Sequence, residues 1–364
     1  LSRAADAGAS NNAVAYQIDV AHSGQGTLKR FKGKLKLLWN QTLVGDVSYP
    51  LVANNRVFVT VAASPPSGSW LYALNLKNGK TVWQRTISGT YNTSSAAYDD
   101  GQVFVVNFDG VLSAFDAGTG ALNWTAQLEP SASMPVAQDG TVFVGGAAGG
   151  GAIFAVDETT GHVKWSASNE AGGAGTPALA NGDVYVSIPC QTDSLSAKTG
   201  QINWYYNGYC SGQPLTQIYF GDQVYARVYP QPAEILNAET GALAGTVHAQ
   251  LAPSFFTSNG ATYAVAVWDT ELSCTDVASG TMLWTYEGAS TAPLVIGNYV
   301  IDGAGAALYV LNRQTGKKVW STTLGSAILT PEEGTVANPL PGLGAGGNVL
   351  IVPASSQIYA FVAQ

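Results

Sequence analysis

The chain has 364 residues, 46% hydrophobic and 11% charged, with 42 glycines and a formal net charge of −8. So much apolar content excludes a disordered chain, and the low share of charge suits a β-rich protein with many turns. The acidic balance, with no basic run beyond "KRFKGKLK" at 29–36, argues against nucleic-acid binding, and no apolar run reaches the ~18 residues that cross a bilayer.

In chain order, residues 1–33 fit no repeating unit and contain "YQIDVAHSGQG" (16–26). Next, "LKLLWNQTLVG" reads as one strand carrying Trp39. From there one pattern recurs: "ALNLKNGKTVW" (73–83), "AFDAGTGALNW" (114–124), "AVDETTGHVKW" (155–165) and "SLSAKTGQINW" (194–204). It continues as "ILNAETGALAG" (235–245), "CTDVASGTMLW" (274–284) and "VLNRQTGKKVW" (310–320). A period of about 40 residues marks an array of similar units.

Each period holds the signals of four short antiparallel strands. In the second, "SSAAY" and "QVFVVN" flank "DDG", then "VLSAFD" and "ALNWTAQL" flank "AGTG". Alternating apolar residues bounded by Gly, Asp and Asn are strands joined by tight turns. Four strands every 40 residues, with no helical pattern between, describe a propeller blade. The C-terminal "NVLIVPASSQIYAFVAQ" supplies strands two and three of a blade and then stops. The expected fold is therefore all-β: an eight-bladed β-propeller of four-stranded antiparallel blades. The N-terminal strand with Trp39 completes the C-terminal blade, which gives a docked leader over 1–33 and one propeller over 34–364.

The turn dipeptide provides φ > 0, and the polar residue before it, as at Asp116 or Asn312, can bond turn amides. Trp39, Trp83, Trp124, Trp165, Trp204, Trp284 and Trp320 are expected on outermost strands, each docking its blade to a neighbour. Gly245 takes the tryptophan position in one blade, where Tyr219 or Tyr225 is expected to refill the gap unless that interface is looser.

The Ala-x-Asp-x-x-Thr-Gly-x-x-x-Trp pattern resembles the repeat of quinoprotein-type (PQQ-like) propellers, from about residue 36 to the C-terminus. The resemblance implies two kinds of protein. In PQQ-dependent dehydrogenases the quinone stacks in the central funnel, often against adjacent bonded cysteines, with Ca²⁺ on Glu, Asn and Asp and an Asp as base. BamB-like members carry similar repeats without catalysis. This chain has no Cys-Cys pair, no long insertions and no recognisable Ca²⁺ triad, and its Asp116 and Asp157 already serve turns. It resembles the BamB-like members more, so no catalytic residue, no metal site, no PQQ and no calcium are expected. Asp-x-x-His-Ser/Thr-Gly stretches precede other PQQ-like arrays, which implies a structural role for His22 in the leader.

Three cysteines are too few for a disulfide-framed fold and lack zinc spacing. Cys274 sits at the Ala position of the repeat, as a small core residue. Cys190 and Cys210 follow the second and fourth strands of one blade, at the same face, where they can form a disulfide or remain two thiols. Sequons at Asn40, Asn92 and Asn123 are weak signals.

Loops between strands two and three, and between consecutive blades, share one face. Trp70, Tyr206, Tyr209 and Trp268 lie there outside the repeated tryptophan position, as candidates to stack on a glycan or anchor a protein. The expected function is a non-catalytic binding or assembly scaffold at an extracellular, cell-surface or periplasmic location. The alternatives are a quinone-dependent oxidoreductase with degenerate ligands, and a self-assembling surface-layer or filament subunit.

Overall fold

The computed structural model describes residues 11–62, 67–130, 133–146, 152–168, 173–210, 212–333 and 339–364. No helix occurs among them, and the strands form eight four-stranded blades in a ring. Blade two shows how the sequence makes the unit: Ser94–Asp99, Gln102–Asn107, Val111–Asp116 and Leu122–Gln127 pair in order. Its second strand is buried nearly throughout because both faces meet neighbouring blades. The outermost strand alternates between exposed and half-buried positions, as a one-sided strand must. The other blades begin at Leu51, Val136, Ala178, Ile218, Ser254, Leu294 and Gly344.

Ring closure follows the sequence expectation. Leu35–Thr42 is the fourth strand of blade eight, antiparallel to Gln357–Ala363, with Trp39 opposite Ala360. In blade seven Tyr299–Asn312 runs on as one long strand through Gly305, at φ +52°. Its halves still serve as strands two and three. The Arg313 amide donates to Asn298 O at 3.0 Å, as Ala117 donates to Gly101 O at 2.8 Å in blade two.

One contact repeats between blades. The outer-strand indole of one blade lies on the turn glycine of the next, and its Nε1–H donates to a carbonyl just before that turn. Trp39 reaches Leu76 O at 2.9 Å, Trp83 reaches Ala117 O at 3.1 Å, and Trp124 reaches Glu158 O at 2.7 Å. Trp165, Trp204 and Trp284 reach Ala197, Ala238 and Arg313 at 3.0, 2.9 and 2.8 Å. A Cβ on Gly120 would stand 2.6 Å from the Trp83 ring, and φ there is +69°. The Thr-Gly turn thus needs glycine twice, for its backbone and for the ring pressed against it. Burying such a ring is worth about 4 kcal/mol, at ~25 cal/mol per Å² over ~150 Å². Trp320 differs: its ring meets Phe361 edge-on, with centroids 6.2 Å apart.

At Gly245 the second of the two expected outcomes is found, a looser contact at the partner turn. Tyr219 turns away to stack on Tyr185 of blade four, and Tyr225 packs inward on Phe255. Opposite Gly245 stands Ile235, where other blades pair the tryptophan with Ala, Ser, Cys or Val, as in Ala73↔Trp83 and Cys274↔Trp284. Large and small have changed places across the strand pair. The partner turn in blade six is left loose: a Cβ on Gly280 would meet nothing within 4 Å.

Gly120 and Gly280 share nearly the same φ, +69° and +68°, so they separate backbone strain from ring contact. Alanine at either should cost about 1 kcal/mol through φ. Gly120→Ala should cost about 1–3 kcal/mol more by overpacking against the indole. Urea unfolding measures both, and equal losses would contradict the contact.

Candidate functional site

The axis of the ring is filled by the chain itself. Inner strands of a propeller are edges with unpaired amides. Here the leader supplies their acceptors, running round the inside of the ring in blade order. Val52 N donates to Ala13 O, Tyr98 N to Val14 O, Leu179 N to Val20 O and Tyr219 N to Ala21 O, at 2.7, 2.9, 2.8 and 2.9 Å. Phe255 N and Val295 N donate to Ser23 O and Gly24 O at 3.2 and 2.9 Å. Gln25–Gly26 then lies parallel to the inner strand of blade seven.

The Asp-x-x-His-Ser-Gly stretch builds this course. The Asp19 carboxylate accepts from the amides of Ala21 and Ser23 at 3.1 and 3.0 Å and from the Ser23 hydroxyl. His22, fully buried, spans from Nδ1, 2.6 Å from Tyr16 O, to Nε2, 2.9 Å from Pro177 O in blade four. Burial holds its pKa below the usual histidine value. Gly24 at φ +68° has no room for a Cβ, which would fall 1.7 Å from Ser254 Oγ. Tyr16 and Gln17 fill the centre, and the Gln17 amide donates to Ala252 O and Pro293 O at 3.0 and 3.2 Å. Residues 1–10 of the leader lie outside the described residues.

A second buried element lies close to the leader, near enough to Tyr16 and His22 to act on them electrostatically. Glu333, in the loop from blade seven to blade eight, meets Arg227 of blade five: Nη1 to Oε1 is 2.8 Å, and the side chains are 5% and 1% exposed. The other Glu333 oxygen accepts from Thr216 N at 2.7 Å, while Arg227 Nη2 donates to Gln250 O at 3.0 Å. Nothing in the sequence pairs residues 106 apart.

The residues do not fit a calcium–quinone centre. The bonded cysteines, Cys190 and Cys210, stand 20 residues apart on the loop face rather than adjacent in the funnel. Among the described residues no three His, Cys, Asp or Glu side chains are placed to hold a cation. Two carboxylates in and beside the leader are committed, Asp19 to turn amides and Glu333 to Arg227. Cys274 is buried against Trp284, which pushes its thiol up to about 12. It is a core residue.

On the loop face all four predicted aromatics are half-buried. Trp70 starts a third strand and is half-buried against the core beside Tyr72. Tyr206 is half-buried, its hydroxyl donating to Glu234 Oε1 at 3.0 Å. Tyr209 is half-buried beside the disulfide, and its carbonyl accepts from Cys190 N at 3.0 Å. Trp268 ends a second strand edge-on to the exposed His248, with centroids 5.2 Å apart. Of the loops expected here, residues 64–66, 211 and 334–338 lie outside the described residues.

Three residues were missed: Tyr91, Tyr205 and Tyr229, which are 42%, 60% and 48% exposed. Tyr91 rests against Phe108, centroids 4.8 Å apart. A lone aromatic in a Gly/Ser-rich loop, as in "SGTYNTS", was the signal available. The face therefore carries aromatics over blades one and two and over blades four to six.

An eight-bladed ring sealed by its own leader, with aromatic loops on one face, defines a PQQ-like propeller without a recognisable axial cofactor cage. The chain belongs to the family described as outer membrane protein assembly factor BamB, whose model matches residues 20–110, 108–244 and 233–364. It is 28% identical over 219 residues to a tetrathionate hydrolase of Acidithiobacillus ferrooxidans, covering 53% of this chain and 42% of that protein. It is 29% identical over 152 residues to outer membrane protein assembly factor BamB of Yersinia pestis, covering 37% of this chain and 38% of that protein. These matches span less than half of each relative. A europium-containing methanol dehydrogenase shares the fold at a TM-score of 0.75 and 15% identity, over 96% of this chain and 98% of that one.

Two outcomes test this geometry. Glu333→Ala strands a buried guanidinium and should cost about 3–5 kcal/mol, whereas Arg227→Met with Glu333→Leu should recover most of it. Urea unfolding of the three proteins decides. The second concerns Glu158, buried between blades two and three beside Asp99, with Asp100 and Lys164 also near. Burial first, then Asp99, raises its pKa from 4.5 to about 8. The folded state therefore keeps a proton that the unfolded chain releases. That stabilisation is complete below about pH 4.5 and is lost as pH rises through about 8. Stability should fall over this window, and Glu158→Gln should flatten the slope. An unchanged slope would contradict the assignment.

Proposed function

We propose that this chain is a non-catalytic scaffold outside the cytoplasm that binds a partner protein through its loop face. The observation that carries the reading is the filled axis. The leader pairs with inner strands of six blades, and the buried Arg227–Glu333 pair joins blade five to the loop after blade seven, which favours the rim of the loop face as the surface for a partner protein. The aromatics there, Tyr91, Tyr205, Tyr229 and Trp268, offer large rings of the kind that anchor interfaces. Membership of a family described by outer-membrane protein assembly supports a protein partner. The Cys190–Cys210 bond supports an oxidising compartment.

The test uses a photo-crosslinking amino acid at Tyr91, Tyr229 or Trp268, in cells of the source organism. Leu122, exposed on an outer strand, is the control. Discrete protein adducts from the loop positions, absent from the control, are expected. Adducts from the control alone would overturn the choice of face. A parallel titration with PQQ and Ca²⁺, followed by tryptophan fluorescence, should show no saturable change. Saturable binding at micromolar quinone would replace the scaffold reading with an oxidoreductase.

A further inference from the structure

Beneath each indole, and beneath Gly245 in blade five, lies a slot between the second strand of one blade and the inner strand of the next. Blades one to five put an aromatic on the second-strand side: Phe58, Phe104, Phe143, Tyr185 and Tyr225, each paired with the repeat's Ala position or its equivalent. The facing residue always comes from one register position of the next inner strand: Tyr98, Ala137, Leu179, Tyr219 and Phe255.

Four of these five slots are filled from within. Tyr98 stacks on Phe58 at 6.0 Å and 19°, Tyr219 on Tyr185 at 5.8 Å and 14°, and Phe255 lies 4.1 Å from Tyr225. Between blades two and three Ala137 brings no ring, and Glu158 is buried at that interface with its carboxyl beside Asp99. Between blades three and four neither solution is present. Leu179 stands at the ring position and Ala197 stands where blade three has Glu158; the carbonyls of Ala197 and Glu158 each accept from the indole Nε1–H of the blade before. A cavity of about 360 Å³ remains, with Phe143, Leu179 and Ala197 inside and Asp139, Lys164 and Asn181 towards its mouth. That volume lies within the range of small-molecule sites, and its wall combines an apolar patch of Phe143, Leu179, Ala180 and Ala197 with a larger set of polar side chains.

We propose that this cavity binds a small hydroxylated aromatic ring, the group its neighbours supply from their own sequence. The filled slot next door shows how the hydroxyl is held: Tyr219 accepts from Asn181 Nδ2 and donates to Asp222 Oδ1, both at 2.8 Å. In the open slot the turn residue equivalent to Asn181 is Asp139, whose carboxylate accepts a phenolic O–H. Gly182 replaces Asp222 and widens the mouth. The ring is flat, so it enters the gap edgewise between two blades, as Tyr219 does one blade on.

The experiment titrates the intact chain with p-cresol, by saturation-transfer NMR and calorimetry. Leu179→Tyr and Ala197→Glu close the slot in the two ways that neighbouring blades use. Saturable binding to the parent is expected, weakened by at least about tenfold in each variant when the ring's volume is taken. Circular dichroism and urea unfolding of both variants establish that they fold, and Ala197→Glu still tests the site if Leu179→Tyr does not. N-acetyl-tyrosinamide is the second probe: tighter binding than p-cresol assigns the ring to a polypeptide, and weaker binding assigns it to a free phenol. Absence of saturable p-cresol binding by the parent would overturn the proposal. So would binding left unchanged by a folded variant.

Discussion

The indole that one blade lays on the glycine of the next governs the geometry of this ring. It joins three demands in one place: a left-handed turn, a bare Cα beneath an aromatic face, and a carbonyl free to accept from Nε1. Five successive contacts of this kind, and a sixth beyond the gap at Gly245, tie neighbouring blades together. The blades are splayed by those contacts, and the width at the axis follows. An axis of that width leaves inner-strand amides unpaired, and the leader is the segment that pairs them. The closure of the ring and the filling of its centre are therefore consequences of the same side chain.

Where the contact is missing, the molecule shows what it had been holding. Gly245 opposite Ile235 keeps the volume within blade five but gives no ring to Gly280. The interface between blades five and six relies instead on inner aromatics, with Phe220 stacked on Phe255 at 5.5 Å. Packing density is conserved along the inner strands and relaxed at the rim. The cavity between blades three and four is the reverse case: its indole is in place, and the inner ring is absent.

Much of the fold was legible because a turn dipeptide and a tryptophan at a fixed spacing recur along the chain, with Gly245 as the break in the tryptophan series. The closing strand was legible too, since Trp39 lacked three strands before it and the C-terminus lacked one after. The leader's path was not, because its partners are backbone amides, which no side chain advertises. Ile235 was readable as the answer to Gly245 only once the register set the two opposite each other; Tyr219 stacks in the slot towards blade four, while Tyr225 pairs with Phe255 at the blade five–six interface. Arg227 and Glu333 are far apart in sequence, and one of them sits in a loop with no repeat pattern. On the candidate face, attention to long loops brought out Trp70 and Tyr206, which the structure half-buries. It passed over Tyr91 and Tyr229, which stand in solvent.

The measurement that bears most directly on this account is native-state hydrogen exchange of the inner-strand amides. Val52, Tyr98, Leu179, Tyr219, Phe255 and Val295 all donate to leader carbonyls, so they should exchange only with global unfolding, alongside the second-strand amides. Exchange of those six amides through a low-energy local opening would mean that the leader leaves the axis readily. The funnel would then be open to a ligand, and the claim that the chain seals its own centre would fail.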